Sequence, residues 1–412
     1  MDFSPSKIAA SWQGKLAVAA AFLAGVGIPV SLALENIAAG LIVLAALLTP
    51  ALWRQLPGIC RKPFVLACLA FYGLFVLGAL WSPEPLERIV WMLTKLRAYL
   101  CAPLIFAVFL LLPARRAFFW GLTLGTLASL VLSFAMAAIG KPFWQGMLND
   151  WAVFHSHTYH NYYLSLLVFG LLALLVNGEI AGRWKPVAWV VILLCTINIL
   201  FMVQGRTAQV IFLLLLALIP VLWRWRLGLA AALLGAMVLL PALYFSSAGL
   251  RTGVARVKAD LALFEKDSRQ STSVGVRLNF YRSALQMVAE KPLLGHGTGT
   301  IVSEFKRIAE TNPDSLETRN PHNDYLWTAV ELGLAGIVAL LGMMTALVIQ
   351  ARRSARPEKW MCIGFALSMA ASTLANSFFM DNITGLGFVL TACALLAGNS
   401  FGSRPAGREI FA

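Results

Sequence analysis

The chain is a succession of apolar runs long enough to cross a lipid bilayer, parted by short charged connections, and few folds accommodate that pattern. The runs lie near 15–32, 36–53, 64–81, 98–114, 116–138, 161–177, 186–203, 207–223, 227–246, 326–350, 360–380 and 384–400. In hydrocarbon each backbone polar group needs a partner inside its own segment, so the runs predict about twelve transmembrane helices in an all-α polytopic membrane protein. A small break around Glu35 and Asn36 parts the first two. Only 13% of residues are charged, about half the share usual in soluble domains.

The net charge of +14 invites a nucleic-acid partner until its placement is followed along the chain. With a cytoplasmic N terminus, the inside connections hold Arg54, Arg61 and Lys62; Arg115 and Arg116; Arg183 and Lys185; Arg224 and Arg226; and Arg352, Arg353, Arg356 and Lys359. That side carries 17 basic and 4 acidic residues, the other 16 and 15. The excess is internal, as the positive-inside rule requires, and no nucleic acid is needed to explain it. The first run lacks a small-residue cleavage site and is expected to stay as a helix. The six cysteines, Cys60, Cys68, Cys101, Cys195, Cys362 and Cys393, lie in or beside spans without metal-type spacing.

This predicts three parts: residues 1–246 with nine spans, a large outer loop over 247–325, and residues 326–412 with three spans and a cytoplasmic tail. A second outer segment covers 139–160. In the large loop Val254, Val257, Leu261 and Phe264 recur at helical spacing, as do Leu278, Tyr281, Leu285 and Val288, and then Ile301, Phe305 and Ile308. These stripes predict amphipathic helices that lie on the membrane or cap the bundle. Pro292, Gly295, Gly297 and Gly299 mark a tight turn, or at most an anion nest.

Pro321-His322-Asn323 closes the loop. At about 100° per residue His322, Gly333 and Gly336 share one face of an uninterrupted helix, predicting a smooth groove beneath the histidine for another helix or a lipid tail. At a helix N terminus the imidazole is kept neutral, so it serves either as a cap or as a base near neutral pH. Arg206 opens a span at the outer boundary, where it either snorkels or binds an anion. Arg277 and Arg282 belong to the second lid helix, and Lys95 and Arg97 lie near or inside the fourth span, deeper than routine flanking charges. His155, His157 and His160 lack an adjacent acid in the sequence and fit a sugar- or headgroup-facing segment better than a metal site.

His322-Asn323-x9-Gly333-x2-Gly336 satisfies the signature of the O-antigen ligase family: His, then Asn, Ser or Gln, nine residues, Gly, two residues, and Gly, Thr or Tyr. The chain resembles that family over nearly its whole length. Arg206 after the shorter outer loop is similar to one family arginine, and Arg277-Leu-Asn-Phe-Tyr281 followed by Lys291-Pro-Leu-Leu-Gly-His-Gly-Thr-Gly299 to the setting of a second. Tyr281 stands where many relatives have Trp. Lys95 or Arg97 would supply the family's basic residue in the early spans.

The resemblance implies a GT-C-like glycosyltransferase with a helical periplasmic lid in the inner membrane of a Gram-negative bacterium. Its donor would be O-polysaccharide on undecaprenyl pyrophosphate, its acceptor a sugar hydroxyl of lipid A-core. His322 would be the general base of an inverting transfer without metal or cofactor. Arg206 and Arg277 would bind the pyrophosphate, with Lys95, Arg97, Arg282 and Asn323 beside the substrates. An O-antigen polymerase or a protein O-oligosaccharyltransferase shares these features. A transporter would instead show inverted repeats and charges through both membrane halves.

Overall fold

A computed structural model describes residues 11–142, 150–246, 248–266 and 272–398. The C-terminal tail from 399 onward lies outside the described residues. All regular structure among those described is helical, and each of the twelve apolar stretches forms a helix. In chain order these are α1 (Trp12–Val30), α2 (Leu32–Leu47), α3 (Pro63–Gly78), α4 (Leu86–Lys95), α5 (Arg97–Leu111), α6 (Ala114–Ile139), α7 (His157–Val176), α8 (Lys185–Ile197), α9 (Arg206–Trp223) and α10 (Trp225–Ser246). The lid contributes α11 (Ala248–Lys266), α12 (Ser273–Glu290) and α13 (Ile301–Thr311), before α14 (Asp324–Ala351), α15 (Arg356–Ser372) and α16 (Asn382–Ala397). Among the described residues seven helical stretches are long and apolar enough to cross a membrane, Leu86–Leu111 (α4–α5) and Gly182–Met202 (α8 with its flanking turns) each counting as one, and four others are apolar but shorter, Trp225–Val238 of α10 among them.

Small residues set the closest approaches. A Cβ on Gly25 would lie 2.2 Å from the Phe118 carbonyl oxygen, and one on Gly121 2.1 Å from that of Phe22, so α1 and α6 touch backbone to backbone. The break between α1 and α2 falls at Ser31, not at Glu35 and Asn36. Ser31 is extended, and its hydroxyl caps α2 by accepting the Leu34 N–H at 3.3 Å. Glu35 is thereby buried in the first turn of α2.

The lid divides into an anchored and an uncovered part. The first stripe forms α11, yet Val254 and Leu261 remain 40% exposed. On α12 the buried face is Phe280, Ser283, Ala284 and Met287, about one residue out of register with the expected stripe. Leu285 of that stripe points outward because Asn279, turned inward, holds the loop after α13 by donating to the Asp314 carbonyl and accepting the Leu316 N–H. On α13 Ile301, Phe305 and Ile308 are all fully buried, as their spacing predicts.

Candidate functional site

His322 does not begin a helix. Asn323 is the N-cap of α14, its side-chain oxygen accepting the Leu326 N–H at 3.0 Å, and His322 precedes it with φ of 55°. A left-handed backbone costs a residue with a Cβ roughly 1–2 kcal/mol. Here it is fixed from both sides. The Asn320 side chain accepts the His322 N–H at 2.8 Å and the Ser377 hydroxyl at 2.6 Å, while Tyr281 donates to the His322 carbonyl at 3.3 Å. Its phenol also donates to the Leu374 carbonyl at 2.9 Å, as does the Asn323 amide at 3.0 Å. The lid helix α12, the turn 320–323 and the α15–α16 connection are thus sewn together around one half-buried imidazole.

The α15–α16 connection brings in a residue that the sequence pattern does not announce. Asp381 accepts the Tyr159 hydroxyl at 2.5 Å, and its charge acts on His322, His155 and Lys95. Burial and the Arg277 guanidinium lower the His322 pKa below its ordinary value, and Asp381 opposes them without prevailing. Arg277, one helical turn before Tyr281, is half-buried and has no carboxylate within ion-pair distance among the described residues. Asp324 is fully buried, its Oδ2 accepting the Phe379 N–H at 2.6 Å.

The remaining expected site residues fall in different places. Lys95 sets its ammonium over the Trp327 ring at 4.5 Å and over Trp91 at 5.0 Å, in the field of Asp381, Asp324 and Glu331. Arg97 is exposed and engaged elsewhere, bonding the Asn36 side chain and the Thr94 carbonyl. Arg206, exposed at the start of α9, lies beside lid helix α11: a Cβ on Gly253 would be 3.7 Å from its Cδ. No described hydrogen bond or ion pair joins Arg206 to His322. Arg282 is exposed on α12. The three outer-segment histidines do not converge: His157 faces Asp150 at 3.3 Å, His160 bonds Asn198 at 3.1 Å, and His155 meets the edge of Tyr159.

The straight helix face expected beneath His322 is broken at Gly333. Gly333 leaves the helical conformation at φ 62° and ψ −152°, so α14 kinks and His322 and Gly333 do not share a straight helix face. The freed backbone groups are taken by the Pro292–Gly297 turn. Leu334 N–H donates to the Pro292 carbonyl, His296 N–H to Val330 and Gly297 N–H to Glu331, each at 2.8 Å. A Cβ on Gly333 would lie 2.4 Å from the Leu293 carbonyl carbon, so glycine is required for both space and φ. The buried Glu331 carboxylate accepts the Gly299 and Ile301 N–H groups and the Trp327 indole. The glycine-rich turn between α12 and α13 therefore spends these amide groups on α14.

Glu290, His296 and Glu304 lie close enough to hold an ion, but Arg307 occupies that cluster, pairing with both carboxylates while His296 Nδ1 meets Glu304 at 3.3 Å.

A half-buried imidazole beside an arginine without a carboxylate, under a lid fastened to the helix that follows it, fits transfer chemistry on an anionic substrate. Residues 190–341 match the O-antigen ligase family, a stretch that contains Arg206, Arg277, His322, Gly333 and Gly336. Over this segment, somewhat more than a third of its length, the chain is similar to the O-antigen ligase family. Members are glycosyltransferase-like membrane enzymes, ligases and polymerases. Lys95, Tyr159 and Asp381 lie outside the matched stretch. An uncharacterized protein of Haemophilus influenzae is 32% identical over 91 residues, 20% of this chain and 22% of that protein, so the alignment spans about a fifth of each.

Proposed function

We propose that the protein transfers O-polysaccharide from undecaprenyl pyrophosphate to a sugar hydroxyl of lipid A-core. The site would lie at the periplasmic face of a twelve-span, GT-C-like bundle in the inner membrane of a Gram-negative bacterium. The observation that carries this reading is His322, locked in a strained turn and held neutral by burial and by Arg277. A neutral imidazole nitrogen takes the proton of the acceptor hydroxyl as its oxygen attacks the anomeric carbon. The bond from that carbon to the pyrophosphate breaks, its electron pair leaves with the lipid pyrophosphate, and the centre is inverted.

Each remaining group has a role that follows from its charge. Arg277, and Arg206 brought in along α11, bind the pyrophosphate and offset the charge that grows on it, so no metal ion is required. Asp381 steadies the imidazolium that forms once His322 holds the proton. Lys95 adds positive charge beneath the site, and Asn323 positions the histidine through its cap. Arg97 and Arg282 stand at the margin and touch substrate only outside the reacting centre.

The test is transfer by purified protein from lipid-linked polysaccharide to lipid A-core with chelator present. His322→Ala is expected to abolish product while wild type is unaffected by chelator. Full activity in His322→Ala removes the base, and loss of wild-type activity with chelator removes the metal-free scheme. Deleting the gene separates the acceptors: accumulated lipid-linked polymer supports the ligase, whereas accumulated single repeat units point to a polymerase.

A further inference from the structure

The turn that docks on α14 carries two leucines that the fold leaves uncovered. Leu293 is 67% and Leu294 55% exposed, between the exposed Lys291 and the buried Gly295. The kink at Gly333 sets their place. Before it, α14 is buried at every residue from Trp327 to Gly333. After it, Leu334, Val338, Leu341, Thr345 and Ile349 form one exposed, chiefly apolar stripe at helical spacing. On α3, which packs along α14, Leu66, Leu77 and Leu80 are exposed as well. Apolar faces of this kind on membrane-crossing helices are solvated by acyl chains, and both run up to the turn.

Depth decides what covers the leucines. Gln350 Oε1 accepts the Phe64 N–H at 3.0 Å, so α3 and α14 are level at the end flanked by Arg61, Lys62, Arg352 and Arg353. Basic residues in that position mark a hydrocarbon boundary. From Gln350 to Leu334 α14 rises sixteen residues, about 24 Å at 1.5 Å per residue, short of a hydrocarbon core of roughly 30 Å. Tilt only lowers that height. The Leu334 N–H donates to the Pro292 carbonyl at 2.8 Å and the Ala335 N–H to that of Leu293 at 3.3 Å, so the turn sits at the same depth. Non-helical backbone there needs its polar groups bonded. Pro292 has no N–H, and the carbonyl of Leu294 accepts the Trp81 indole N–H at 3.2 Å. We propose that Leu293 and Leu294 insert among the acyl chains of the leaflet on the His322 side, with Lys291 extending to the headgroups. Lipid as well as α14 then holds the foot of α12, the helix that carries Arg277 and Tyr281.

Nitroxide collision rates in the full chain, reconstituted into phosphatidylethanolamine and phosphatidylglycerol vesicles, test this. Oxygen concentrates in hydrocarbon, whereas a nickel chelate stays in water. Labels go on Leu293→Cys and Leu294→Cys, on Val338→Cys as the lipid-facing reference, and on Glu310→Cys, exposed on α13, as the water-facing one. Signal from the native cysteines is measured on the unsubstituted protein and subtracted. At both leucines the ratio of oxygen to nickel collisions is expected to lie nearer the Val338 value than the Glu310 value. A ratio at the Glu310 level puts the turn in water and overturns the proposal. Exclusion of both reagents overturns it too, because a protein surface, such as a second copy of this chain, then covers the turn. Both side chains point outward, and should one labelled variant fail to fold, the other decides alone. The measurement needs no turnover, so its outcome is separate from that of the transfer assay.

Discussion

Two arginines of the lid, Arg277 on α12 and Arg307 on α13, show how differently one side chain is used a short distance apart. Arg307 is saturated: Glu304 accepts its Nε–H at 2.7 Å, Glu290 takes a second bond, and His296 completes the network. Arg277 faces no carboxylate among the described residues and acts on the histidine. A guanidinium answered by its own fold is a fastening, whereas one facing no carboxylate beside an imidazole suits the anion-binding role proposed for Arg277.

Substitution separates the two most sharply. Arg277→Lys keeps the charge but loses the planar fork, and is expected to lower transfer about a hundredfold without changing the unfolding temperature. Arg307→Lys should leave transfer within about twofold, since its partly exposed pairs contribute little. Equal losses in the two variants would erase the distinction.

The fastening itself is broken most strongly at its glycine. Gly333→Ala places a Cβ against the Leu293 backbone in a left-handed conformation, and a loss of roughly 1–3 kcal/mol of stability is expected, read by thermal unfolding. Transfer per folded molecule should fall as well, because the same kink seats the turn that fixes α12.

Acidity gives a smaller but directional effect. Because the folded His322 pKa lies below its ordinary 6.5, the acid limb of kcat/KM should fall below that pH, where the base becomes protonated. Arg277→Gln removes one lowering influence and should move the limb upward. A limb that stayed in place in that variant would detach the arginine from the histidine.

The His296–Glu304 pair is expected to shape stability instead. Burial pulls the His296 pKa down, but its bonds to Glu304 and to the Met287 carbonyl raise it overall. Its contribution is complete below the ordinary 6.5 and is lost as pH rises through the folded value. Burial pushes Glu304 up, yet His296 and Arg307 bring it below its ordinary 4.5, so its share is present above that pH and lost as pH falls through the folded value. Unfolding temperature should therefore peak between the two, and Glu304→Gln should flatten the profile.

Much of the architecture is legible without coordinates. Apolar length predicts the helices, and the spacing of Ile301, Phe305 and Ile308 gives the buried face of α13, because burial of a helical stripe is a local consequence of the 3.6-residue repeat. The motif residues His322 and Arg277 are legible as chemistry. Legibility fails where neighbours compete. Asn279 claims the inner side of α12 through two hydrogen bonds and rotates the expected stripe outward. Asp381 escapes notice because one acid between two apolar runs carries no pattern of its own.

By itself, the sequence determined a polytopic helical membrane protein, its basic side and the histidine with its motif, since hydropathy, charge placement and residue identity are properties of short stretches. Only the tertiary structure decided that Gly333 breaks α14 to receive the Pro292–Gly297 turn, that Asn323 caps, and that Asp381, bonded by Tyr159, brings its charge to bear on the histidine. Those outcomes depend on which backbone groups meet across hundreds of residues, and no local period encodes such meetings.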